Sequence, residues 1–184
     1  MDFTGVGHVA NADITQIDAA GLNRVRDLAL NIWPAHYAPL IGADLIPPMV
    51  ADMYSLNTLG ADMRERGHLY WIASVDGKDI GYASAYLKDG RLWIKKLYLL
   101  PSVRGMGLGK QLIATIRDHY GRQHPQAVYV SDRNETAIAF YKSQGFTVES
   151  LEPVQMGPYH FEDYVMVRPG EIALPQSRPD VPTY

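Results

Sequence analysis

The sequence predicts a mixed α/β fold of the α+β kind, and three observations carry that expectation. Residues 69–75, 80–87 and 91–100 are apolar runs joined by Asp76-Gly77 and Asp89-Gly90, the dipeptides of tight hairpins. The third run ends at Pro101 and opens onto Arg104, glycines at 105, 107 and 109, and an amphipathic helix over 107–120. Beyond it, a strand at 126–130, a capped helix from Asp132 to about Gln144 ended by Gly145, and strands at 146–151 and 159–168 complete the order.

The N-terminal part is less regular. Val6 to Ala10 reads as a short strand. Asn11 and Asp13 suit the cap of a helix carrying Ile14, Ile17, Leu22, Val25, Leu28, Leu30 and Ile32, with a break at Gly21. Pro34, Pro39 and the Pro47-Pro48 pair punctuate the next stretch of chain. A proline at 47 or 48 fits the first turn of a second helix bearing Met49, Val50, Met53, Tyr54 and Leu56. Strands take over at His68. Four prolines between Pro169 and Tyr184, with no apolar period, mark a tail, so one domain over 1–168 and a tail over 169–184 are expected.

Composition narrows the function. The 184 residues form one domain by size and are enough to bury a core. A formal net charge of -3 argues against a nucleic-acid partner, which calls for a basic excess. No apolar run approaches the ~18 residues of a membrane span, and Met1-Asp-Phe-Thr-Gly lacks the pattern of a signal peptide. The chain has no cysteine, which removes disulfides, thiolate metal sites and any cysteine acyl-enzyme. A cytoplasmic protein with no metal centre is expected.

The loop after the third strand is the chemically richest segment. Its glycines let the backbone approach a ligand, and the helix behind it leaves its first N–H groups without internal partners. With Arg104 and Lys110 this makes an anion cradle suited to a pyrophosphate. The Walker pattern fails, since three residues separate Gly105 from Gly109 and Gln111 follows Lys110. The dinucleotide fingerprint fails because Lys110 and Leu112 stand where its third glycine belongs. Arg-x-x-Gly-x-Gly does fit, as Arg104, Gly107 and Gly109.

With that pattern the chain resembles the GNAT superfamily of N-acetyltransferases. A second stretch strengthens the resemblance: Asn134, Ala137, Phe140, Tyr141, Gly145 and Phe146 match the family's Asn-x-x-Ala-x-x-Phe-Tyr-x-x-x-Gly-Phe. The resemblance implies a mixed, mostly antiparallel sheet of six to seven strands flanked by about four helices, with acetyl-CoA as co-substrate. It implies that main-chain groups of Leu97, Tyr98 and Leu99 bind pantetheine at a bulge. Arg104, Gly105, Met106, Gly107, Leu108, Gly109 and Lys110 then hold the pyrophosphate. Asn134 and Ala137 lie along the cofactor, and Asn134 also suits a helix cap. Alone, Tyr141 reads as a buried aromatic like Phe140; within the motif it becomes the acid that protonates the leaving thiolate.

One family feature is missing. Many relatives carry a glutamate base on the strand before the loop, but Arg91-Leu-Trp93-Ile-Lys95-Lys96 holds no carboxylate. His36, His160, Glu162 and Asp163 are alternatives, and no base is assigned. The aromatics Trp33, His36, Tyr37 and Tyr54, with Glu162 and Asp163, are similar to the acceptor pocket of bacterial polyamine (spermidine-type) acetyltransferases. Lys95 and Lys96 would repel a polycation if they faced that pocket. The expected activity is acetyl transfer to a primary amine of a small molecule in a ternary complex. A protein or peptide N-terminal acetyltransferase and a catalytically silent acyl-CoA-binding module remain as alternatives. The segment from Trp33 to Tyr54 and the proline-rich tail offer contact surfaces for a homodimer.

Overall fold

The structure, a computed structural model, describes residues 12–156 and 159–171. Its seven strands are β1 (Asp13–Ile17), β2 (Leu69–Val75), β3 (Lys78–Lys88), β4 (Arg91–Leu99), β5 (Gln126–Ser131), β6 (Thr147–Met156) and β7 (Tyr159–Arg168). They form one sheet in the order β1-β2-β3-β4-β5-β7-β6, antiparallel except where β4 meets β5. Helices α1 (Leu22–Ile41), α2 (Ile46–Met53) and α3 (Leu56–Arg66) precede β2; α4 (Leu108–Tyr120) and α5 (Glu135–Ser143) flank β5. The mixed sheet and its flanking helices agree with the expected fold class.

Strand periodicity divides the core. Tyr70 and Ile72 of β2 pack with Val25, Ala29, Ile32 and Trp33 of α1, while their neighbours Trp71 and Ala73 pack with Leu108, Leu112 and Ile116 of α4. Alternate side chains of one strand thus face opposite helical layers. Ile113 of α4 and Tyr141 of α5 close a third cluster with Ile94, Val128, Val130 and Met166. Both hairpin turns form as expected, with positive φ at Asp76 and Gly77 and again at Asp89 and Gly90.

The N-terminal part corrects several expectations. The strand read at 6–10 lies outside the described residues. Ile14 and Ile17, read as helical, stand on β1 opposite Ala73 and Tyr70. Their three-residue spacing mimics a helix, yet β-branched residues beside an open sheet edge gain more from pairing. The helix begins only after Gly21, where a break was expected. It also runs through Pro34 and Pro39 instead of stopping there. Each proline removes a helix hydrogen bond, but both are exposed, and burial of Ile32 and Trp33 on the opposite side holds the helix together.

Helix α3 was not expected. Ser55 caps it, accepting from Thr58 N–H at 3.0 Å, and Gly67 closes it at φ +70°. Only Leu59, Gly60 and Asp62 are buried along it, so the apolar period was too weak to read. β6 runs to Met156, beyond the expected end at Leu151, and accommodates Pro153 because it is an edge strand. Past residue 168 the chain stays docked as far as Glu171, whose carboxylate meets Arg117 at 2.6 Å. The rest of the proline-rich tail, 172–184, lies outside the described residues.

Candidate active site

The site begins where two strands part. β4 and β5 pair in parallel only at Leu92–Gln126, Trp93–Ala127 and Ile94–Val128. Beyond Ile94 the register of β4 against β3 slips: Ile94 faces Ala85, Lys96 faces Ser84, and Lys95 is the extra residue of a bulge. From there to Leu99, β4 keeps β3 on one side and pairs with no described strand on the other. A bulge that bends a strand from its neighbour leaves main-chain donors and acceptors free for an extended ligand. These are the positions of Leu97, Tyr98 and Leu99.

The free edge leads into the glycine loop. Gly105 and Gly107 sit at φ +78° and +82°, and a side chain added at either would meet no atom within 4 Å, so the loop surface is open. Gly107 precedes α4 without any side-chain cap, and the helix closes its first bond from Gln111 N–H to Gly107 O at 3.1 Å. The N–H groups of Leu108, Gly109 and Lys110 are therefore the orphans of a helix start. Met106 is half-buried, and Arg104 and Lys110 are exposed beside the loop, Arg104 Nε reaching Leu99 O at 3.3 Å. Gly109 serves packing: a Cβ there would lie 2.9 Å from the Phe140 ring, so the glycine lets α4 and α5 close up. Open loop surface, uncapped helix start and free strand edge together fit an elongated anionic ligand such as a nucleotide diphosphate with a pantetheine arm.

Asn134 caps α5, accepting from Ala137 N–H at 3.1 Å through Oδ1. That fixes its amide, and Nδ2 then donates to His36 Nε2 at 3.3 Å. Burial, and secondarily the charge of Arg104, lower the His36 pKa, consistent with a neutral ring accepting at Nε2. The bond ties α1 to the β5–α5 junction across the mouth of the split. Tyr141 packs with Ile94 and Val128, the last parallel pair, and with Leu97 beyond it. Its hydroxyl takes no hydrogen bond from a described residue, and burial pushes its pKa well up, keeping the phenol protonated at neutral pH. The protonated phenol therefore belongs to the cluster at the point where β4 and β5 part.

The expected acceptor residues are scattered. Trp33 and Tyr54 are each 1 % exposed and belong to the core. Trp33 Nε1 donates to Tyr54 OH at 3.1 Å, and Tyr82 OH donates to the same oxygen at 2.8 Å. Tyr37 shares a 2.8 Å hydrogen bond with Tyr98, whose side chain points into this aromatic layer while its main chain lies on the free edge. Asp163 is half-buried, and its charge is felt by Tyr37. Burial raises the Asp163 pKa, Lys95 lowers it and Asp132 raises it. Glu162 and His160 are exposed, and His36 belongs to the clasp with Asn134.

Of the polar cluster on the α1–α3 face, the sequence expectations named only the lysines. Asp62, His68 and Lys96 are 5 %, 4 % and 8 % exposed, and both Lys95 and Lys96 line the cavity that they border. The cap signals of α3, Ser55 and Gly67, were the available clue to Asp62; nothing local pairs it with a lysine on β4. Among the described residues no group of His, Cys, Asp and Glu could hold a metal ion, and no helix is long and apolar enough to cross a membrane.

Comparison with known proteins agrees with this architecture. The model of the acetyltransferase (GNAT) domain matches residues 66–148, from the end of α3 to the start of β6. An uncharacterized N-acetyltransferase of Mycobacterium tuberculosis is 33% identical over 140 residues, 74% of this chain and 84% of the relative. Among solved structures, the PaiA N-acetyltransferase of Thermoplasma acidophilum in complex with coenzyme A superposes with a TM-score of 0.71 at 21% identity, covering 87% of this chain and 99% of that one. The ribosomal-protein-S18-alanine N-acetyltransferase of Escherichia coli gives 0.67 at 18% identity, covering 91% and 99%. The chain belongs to the GNAT family of acetyl-CoA-dependent N-acetyltransferases.

Proposed function

We propose that the enzyme transfers the acetyl group of acetyl-CoA to the primary amine of a small molecule by direct attack, with both substrates bound together. One observation carries the reading: the end of β4–β5 pairing, the Lys95 bulge and Tyr141 coincide at one point of the sheet. Main-chain groups of Leu97, Tyr98 and Leu99 hold the pantetheine arm. Arg104 and Lys110 hold the diphosphate, helped by the N–H groups from Gly105 through Met106, Gly107, Leu108 and Gly109. Asn134 and Ala137 border the other wall. The catalytic unit is residues 1–168, acting in the cytoplasm, with 169–184 as a tail.

The thioester supplies an activated acetyl group and a thiolate leaving group. Asp163, half-buried beside Lys95, takes a proton from the acceptor ammonium, which cannot attack while charged. The freed nitrogen bonds to the acetyl carbon as the carbon–sulfur bond breaks, and Tyr141 gives its phenolic proton to the sulfur. A second proton leaves the nitrogen and restores the phenol, so the products are amide, free thiol and the proton on Asp163.

A polyamine acceptor is disfavoured by Lys95 and Lys96, since both line the cavity beside the split. The test is an acceptor screen over polyamines, amino acids and peptides, read by release of the CoA thiol. Release with small amines is the expected result. Release with peptides alone would move the acceptor to a protein N-terminus, and bound acetyl-CoA without release from any amine would overturn the reading.

A further inference from the structure

On the α1–α3 face, next to the bulge, lies a cavity of about 630 Å³. Its walls carry four cationic side chains, Arg66, Lys88, Lys95 and Lys96, against one carboxylate, Asp62. That carboxylate is already engaged. Arg66 Nη1 lies 2.5 Å from Oδ1, while Tyr70 OH donates to Oδ2 at 3.3 Å. Lys96 Nζ stands 3.7 Å from Oδ2, beyond direct hydrogen-bond length, and lies over the face of the Tyr54 ring at 5.5 Å. His68 stacks on Tyr86 at 4.6 Å, and its Nδ1 is buried with no hydrogen-bond partner among the described residues.

Burying an ammonium with a single long ion-pair contact is unfavourable unless something else compensates it. Burial lowers the Lys96 pKa to about 8, against the opposing pull of Asp62, so the side chain is mostly charged at neutral pH. Three further cations reach the same cavity: Arg66, which is paired with Asp62, Lys95, whose Nζ also lies over the Tyr129 ring at 5.3 Å on the side of Asp163, and Lys88. The missing complement is a negative charge, and the space is that of a small-molecule site. This is not the diphosphate loop, which lies at the other end of the free edge of β4, beyond Leu99.

We infer that this cavity binds an anionic group, a carboxylate or a phosphate, carried by the acceptor amine itself. The inference rests on the acetyl-transfer reading and sharpens it: the acceptor is a small amino acid-like or aminoalkyl phosphate-like compound, not a polycation. Lys95 is the residue at which β4 leaves β5, so an anion held between Lys95 and Lys96 leaves the amine of the same molecule beside the split. Lys96 is a specificity-determining residue in this arrangement.

Matched acceptors test it. An α-amino acid, its amide, the decarboxylated amine, an aminoalkyl phosphate and a linear diamine are compared by kcat/KM from CoA release. At least one anionic acceptor is expected to exceed the amide and the diamine tenfold or more; whether carboxylate or phosphate wins identifies the anion. Lys88→Gln, on an exposed side chain, should lower that preference several-fold through KM, and Lys96→Met should abolish it, while the acetyl-CoA dissociation constant stays within twofold. Equal use of the amide, faster use of the diamine, or an unchanged preference in both variants would overturn the inference. If no amine is acetylated at all, the transfer reading fails separately. The cavity is then read directly by calorimetric titration of succinate and of inorganic phosphate in the presence of CoA. Binding of either that is lost in Lys96→Met sustains the cationic subsite, and absence of binding by both overturns it.

Discussion

The two sides of β4 are built from different materials. Toward α4 and α5 the site is main chain: a free strand edge, two left-handed glycines and an uncapped helix start. Toward α2 and α3 it is side chain: Lys96, His68 and Asp62, drawn from a strand, a strand entry and a helix far apart in sequence. Alternation along one strand feeds both, since Leu97 joins the α4 side and Lys96 and Tyr98 the other. A ligand shared by a whole family can be gripped by backbone; a particular acceptor has to be selected by side chains.

The largest expected effect tests the chemistry between the two sides. Tyr141→Phe should lower kcat about 100-fold, within the range for loss of a general acid, and leave the acetyl-CoA dissociation constant nearly unchanged. Unaltered kcat would reduce Tyr141 to a packing residue. Asp163→Asn should lower kcat by roughly tenfold or more and remove the acid limb of the pH–rate profile. The wild-type limb lies above the ordinary carboxylate range because burial raises the Asp163 pKa, so activity falls as pH drops through it. A retained limb in the variant would clear Asp163.

On the backbone side, Gly107→Val forces a β-branched residue to φ +82°. That conformation costs about 1–2 kcal/mol, so acetyl-CoA affinity should fall roughly tenfold by calorimetry. On the side-chain side, preference for an anionic acceptor should weaken as pH rises through about 8, where Lys96 loses its proton in the folded state. The same lowered pKa has a stability consequence of opposite direction. The unfolded lysine, near its ordinary value of 10.5, binds the proton that the folded one has lost between about 8 and 10.5, so the penalty of burying Lys96 is relieved as pH rises through that window. A preference that persists unchanged at pH 9.5 would detach the anion from Lys96.

The smallest effect separates core from pocket. Tyr54→Phe removes the hydroxyl that joins Trp33 to Tyr82 and should cost about 1–2 kcal/mol of stability, seen as a Tm lower by several degrees. KM for the acceptor should stay the same. A raised KM without a stability loss would return Tyr54 to the acceptor pocket.

Much of this was legible in the residues because it depends on local physics. Asp-Gly dipeptides with their positive φ place the hairpins, and Gly107 with its uncapped helix start places the loop. Asn134 and Gly145 bound α5 by capping rules that act within a few residues. The departures share a cause. Ile14 and Ile17 became a strand because β2 lay open beside them, and Pro34 and Pro39 stayed helical because Trp33 was worth burying. Trp33 and Tyr54, read as pocket aromatics, were drawn into a hydrogen-bonded layer with Tyr82.

The sequence by itself therefore determined the meander, the glycine loop that opens α4, the two motifs and the absence of a carboxylate on β4, since each is a property of neighbouring residues. Only the tertiary structure decided that Lys95 would be the bulge, that His36 would clasp Asn134, and that Asp62, His68 and Lys96 would share one cavity. Such groups meet through packing between elements distant along the chain, and no spacing rule links them until the core that joins them has formed.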